Sequence, residues 1–106
     1  MARLIIAVVN NQDAEHLVEV LRSEGHRLTE IPSFGGYFHA ENTTLLLAVE
    51  DEAVEKAVIE IIGRECSPRD IEVPAEISGA DADQPSYVRH SGATIFLADL
   101  HGIVRV

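Results

Sequence analysis

The stretch Leu4-Ile-Ile-Ala-Val-Val-Asn-Asn-Gln-Asp-Ala-Glu-His-Leu-Val-Glu-Val-Leu21 changes its hydrophobic period partway through, and that change decides the fold. Leu4–Val9 is an unbroken apolar run, short enough for a strand and closed by Asn10-Asn11. From Asp13 onward the spacing is helical: Ala14, Leu17, Val18 and Leu21 recur every three or four residues, with Glu15, Glu19 and Arg22 off that face. Gly25 supplies the stop. The same succession returns in Leu46–Ile62. Thr43–Val49 reads as a strand and Asp51 as a helix cap. Val54, Ala57, Val58, Ile61 and Ile62 read as a buried stripe, with Glu52, Glu55, Lys56 and Glu60 facing water and Gly63 ending the helix.

Between and after these two units the sequence supplies further strands. His26–Ile31 reads as a strand ended by Pro32, and Ala93–Ala98 as another, followed by a turn at Asp99–Gly102 into a terminal Ile103–Val106. Residues 33–42 form an inter-strand loop and 66–91 a second, longer one. Within the latter, Ser78–Tyr87 reads as loop and Ile71–Ile77 carries strand character. The order βαββαβ predicts an α+β, ferredoxin-like sandwich, with a four-stranded antiparallel sheet and two helices on one face, as a single domain over 1–106. One conflict follows. A sheet covered on one face should alternate apolar and polar residues, yet Leu4–Val9, Leu45–Val49 and Ala93–Ala98 are apolar on both faces. Two helices cannot cover both sides, so the pattern predicts burial of the open face against other copies of the chain.

Composition narrows the function. The 106 residues carry 18 acids against eight basic residues, a formal charge of −10, which argues against nucleic-acid or anionic-membrane partners because both depend on neutralising phosphate. With one cysteine, Cys66, no intramolecular disulfide is available, and no apolar run approaches a membrane span or signal pattern, so a cytoplasmic address is expected. No nucleophile elbow, phosphate-binding loop or H-E-x-x-H motif occurs, and the five histidines lack metal-ligand spacing, so neither catalysis, a metal site nor a cofactor is expected.

A small anion suits the loop region better. Arg27 opens the strand before the loop, Gly35-Gly36 offers backbone N–H groups, Tyr37-Phe38 offers faces for a planar base, and Asn42 and Thr43 offer polar contacts. That combination fits a nucleotide. Each residue also has an ordinary structural use: Arg27 pairing with a surface acid, the aromatics covering a sheet edge, Asn42 closing a turn.

Gly35-Gly36-Tyr37-Phe38, then Asn42-Thr43-Thr44, then Leu45–Asp51, and later Gly92-Ala-Thr-Ile-Phe96 together resemble the motifs of the PII-like cyclic di-AMP receptor family, and the opening Leu4–Asp13 matches as well. The resemblance spans nearly the whole chain. It implies a homotrimer that binds a small-molecule nucleotide, cyclic di-AMP, at each subunit interface and signals to a regulated protein. Ligand contacts would then fall on Arg27, Thr29, Gly36, Tyr37, Phe38, Asn42 and Thr43, and on Gly92, Ala93 and Phe96 of the final-strand region. The chain departs from the family pattern at Gly25, at Pro32-Ser33-Phe34, at Glu41 where a glycine is usual, and in a shortened 66–91 loop. The competing expectation is a divalent-tolerance-like trimer of the same fold, an interaction or metal-binding protein without nucleotide affinity.

Overall fold

The computed structural model describes residues 2–34, 41–66, 69–73, 86–90 and 92–106. The chain runs β1 (Arg3–Asn10), α1 (Asn11–Ser23), β2 (Thr29–Phe34), β3 (Glu41–Val49), α2 (Glu52–Glu65), β4 (Arg69–Val73), β5 (Ser86–His90) and β6 (Ala93–Asp99). The main sheet is antiparallel with order β2-β3-β1-β6, and β4 and β5 pair as a separate hairpin. The expected α+β sandwich is therefore present, with one hairpin added within the 66–91 stretch.

Alternation sorts the two faces of the sheet. Ile5, Ala7 and Val9 of β1 and Leu45, Leu47 and Val49 of β3 are buried, and they pack with Leu17, Val18 and Leu21 of α1 and Val58, Ile61 and Ile62 of α2 in one core. The intervening residues Leu4, Ile6, Val8 and Leu46 are only half-buried, and on β6 Phe96 stays 56% exposed. Apolar side chains thus line the helix-free face as well, which is the conflict the sequence poses.

Both helices are stopped and started by identifiable groups. Asn10 caps α1, its side chain accepting from the Gln12 N–H at 2.9 Å, so the helix begins earlier than the spacing at Asp13 suggests. At its other end Gly25 takes φ of 86°, its N–H bonding to the Arg22 carbonyl and that of His26 to the Leu21 carbonyl, a Schellman closure that requires the left-handed conformation. Asp51 caps α2 as expected, its Oδ1 accepting from the Val54 N–H at 2.9 Å.

Several expectations are corrected. Pro32 lies inside β2 rather than ending it, opposite Thr43, and the sheet tolerates it because β2 is an edge strand. The strand begins at Thr29, not His26, because the Schellman turn occupies the chain immediately before it. Gly63 does not end α2. The helix continues to Glu65, whose carboxylate lies 2.9 Å from His16 of α1, while the Cys66 N–H still reaches the Ile62 carbonyl. These contacts outweigh the roughly 1 kcal/mol that glycine costs in a helix. The buried stripe of α2 is also rotated: Ala57 is exposed and Glu55 is buried. Arg3 of β1 draws Glu55 inward, its Nε donating to the carboxylate at 2.7 Å. Finally, Ser86 and Tyr87 belong to β5 rather than to a loop, because pairing with β4 supplies a partner that local sequence does not reveal. Residues 78–85 lie outside the described residues.

Candidate functional site

The expected site residues fall in three places. At one end of the sheet, Asn42 pairs in register with Asn10, Ala93 pairs with Val9, and buried Gly92 leads into β6. Thr43 joins them through its hydroxyl, which donates to Asn11 Oδ1 at 2.7 Å at the start of α1. Ser33 knits the neighbouring edge, its Oγ donating to the Asn42 carbonyl at 3.3 Å and meeting the Thr44 hydroxyl at 2.9 Å. Phe34 and Glu41 are paired at this same end, so the intervening chain starts and finishes there. Gly35, Gly36, Tyr37 and Phe38 themselves lie outside the described residues.

Thr29 and Phe96 occupy a second place. The register runs Thr29 to Leu46, Leu46 to Ile6 and Ile6 to Phe96, so these four residues form a single row across the helix-free face. Thr29 sits on one edge strand and Phe96 on the other, about 14 Å apart across three inter-strand spacings. Within one chain they do not meet.

Arg27 marks the third place, at the far end of the sheet from Asn42. It precedes β2 by two residues and so lies beside Ala48, and Asn42 is six residues further along β3, about 20 Å at the usual strand rise. The structure therefore does not bring Arg27 beside Asn42 within a single chain. It does bring Arg27 to the rim of an open cavity of about 510 Å³ that His26, Ala48, Glu50, Ile103 and Arg105 also line. Sequence reading did not single out these neighbours. The one signal that bears on Arg105 is the rarity of basic residues in an acidic chain, eight against 18 acids.

Charge partners distinguish the arginines. Arg3 bonds both Glu55 and Asp99, and Arg64 lies 3.1 Å from Glu65. The Glu55 hydrogen bond and then the Asp99 hydrogen bond hold the Arg3 guanidinium above the ordinary arginine value. Arg27 and Arg105, by contrast, form no ion pair or hydrogen bond with another described residue. Both line the cavity. Among the described residues no set of three or more His, Cys, Asp or Glu side chains is grouped to hold a metal, and no helix is long and apolar enough to cross a membrane.

The sandwich, its cross-strand row and the arginine-rimmed cavity define a small α+β domain. A sequence model described as a cyclic-di-AMP receptor matches residues 2–106, and the chain belongs to that receptor family. Among solved structures, the crystal structure of a functionally unknown protein from Pediococcus pentosaceus ATCC 25745 is similar. It superposes with a TM-score of 0.73 at 27% sequence identity, over 99% of this chain and 97% of that one.

Proposed function

We propose that this chain is a PII-like signal transduction protein that binds cyclic di-AMP at the interfaces of a homotrimer in the cytoplasm and relays occupancy to a partner protein through its two long loops. Membership of the receptor family over residues 2–106 carries this reading. The placement of the site residues supports it. Thr29 and Phe96 sit on opposite edges of one row, so a ligand touching both needs the β2 edge of one copy beside the β6 edge of another. The apolar residues of the helix-free face give copies a reason to associate, since burying Ile6, Leu46 and Phe96 removes hydrocarbon from water. Arg27, Gly35, Gly36, Tyr37, Phe38, Asn42, Thr43, Gly92 and Ala93 would complete the site from either side, with Arg27 as phosphate partner and the aromatic rings as stacking faces.

Calorimetric titration with cyclic di-AMP, ATP, ADP and copper tests the reading, together with sedimentation equilibrium. The expected result is saturable cyclic di-AMP binding by a species of about three chain masses. Copper binding without nucleotide binding would replace this reading with the divalent-tolerance one.

A further inference from the structure

The cavity beside Arg27 is completed by the end of the same chain: Ile103 and Arg105 line it together with His26, Arg27, Ala48 and Glu50. Two arginines in one cavity are unusual in a chain of formal charge −10, where Arg3 and Arg64 are already tied to acids. Neither Arg27 nor Arg105 has such a tie to a described residue. A cyclic dinucleotide carries two phosphodiesters, each with one negative charge. A single arginine leaves the second charge to be bound against an acidic surface, where like charges repel at short range.

We infer that Arg105 is the second phosphate-binding cation of the site, so that Arg27 and Arg105, lining one cavity, match two guanidinium groups to the two charges of a cyclic dinucleotide. The inference rests on the cyclic di-AMP reading above and deepens it. Glu50 in the same cavity is the opposing charge that sets the balance: it lowers affinity for a dianion and makes each arginine count. Arginine suits the role better than lysine would, because its planar fork can grip two oxygens of one phosphate and keeps its charge at any physiological pH.

The test is calorimetric titration of the full chain with cyclic di-AMP at two salt concentrations, for the parent and for Arg105→Gln, Arg27→Gln, Glu50→Gln and the control Arg22→Gln. Arg105→Gln should bind about tenfold more weakly and with a shallower salt dependence, as loss of one charge-assisted contact demands. Glu50→Gln should bind more tightly, Arg22→Gln as the parent does, and all unliganded variants should melt as the parent does. If Arg27→Gln weakens binding and Arg105→Gln does not, the Arg105 assignment falls while the nucleotide reading stands. If Arg105→Gln weakens binding with an unchanged salt dependence, its role is packing and the assignment also falls. A parent chain that binds no cyclic di-AMP overturns both.

Discussion

The guanidinium of Arg3 fastens the central strand to the second helix through the buried carboxylate of Glu55, its Nε lying 2.7 Å from the acid. A second contact from the same guanidinium reaches Asp99 on the neighbouring edge strand, directly opposite Arg3 in register. One side chain thereby ties together three elements that are far apart in sequence. Arg3→Ala would leave Glu55 buried without its cation, so the variant should melt at a lower temperature, and Arg3→Ala with Glu55→Leu should recover part of the loss. A double variant no better than the single one would show that the carboxylate is not what suffers.

The same contact has a pH signature. A cation whose folded-state value is raised adds stability that is fully present below its ordinary value and is lost only as pH climbs through the raised one. For an arginine that window is strongly alkaline. Melting curves taken from neutral to mildly alkaline pH should therefore show the parent and Arg3→Ala separated by a constant interval; an interval that closes within that range would remove the ionic account.

Asp51 is the isolated test of helix capping. Its carboxylate accepts from the Val54 N–H without other described hydrogen bonds, so Asp51→Ala should cost about 1 kcal/mol and Asp51→Asn much less. Equilibrium urea unfolding measures both.

In the core, Leu47 is 1% exposed between the two helices and its strand neighbours, and Leu47→Ala should cost about 2–5 kcal/mol through lost burial and the cavity left behind. Ala48, one residue along, points to the other face and is exposed, so Ala48→Ser should be nearly silent in the same unfolding assay.

Association is predicted to depend on the helix-free face. Phe96→Glu places a charge at the exposed end of the row that includes Ile6 and Leu46, and should shift sedimentation of the proposed assembly toward one chain mass. Retention of the assembly would mean that copies meet elsewhere.

Much of this architecture was legible because the period of the sequence changes where the structure does: Leu4–Val9 and Ala14–Leu21 announce a strand and a helix that pack on one another. Capping was equally legible at Asp51 and Gly25, whose chemistry acts within a few residues. What escaped was set by distant partners. Glu55 reads as a surface acid until Arg3 is placed across from it, Gly63 reads as a stop until Glu65 meets His16, and β5 reads as loop until β4 lies beside it. For the site, the motif residues could be named from sequence, but their spacing could not. That Thr29 and Phe96 share a row while Arg27 lies at the far end follows from strand register alone.

The position of β1 between β3 and β6 also governs how the chain reaches this state. Arg3 finds one strand partner at Val49 and the other at Asp99, 96 residues further along, so the pairing of β1 is completed only when β6 is in place. Closing such long loops costs chain entropy before any contact repays it, and folding rates fall accordingly. Until β6 arrives, the apolar strand Leu4–Val9 has a bare edge able to pair with another chain. Refolding should therefore be slow for so small a domain, in the millisecond-to-second range typical of non-local sheets. Chains truncated before Ala93 should aggregate rather than remain as soluble fragments, which a light-scattering comparison with the full chain would detect.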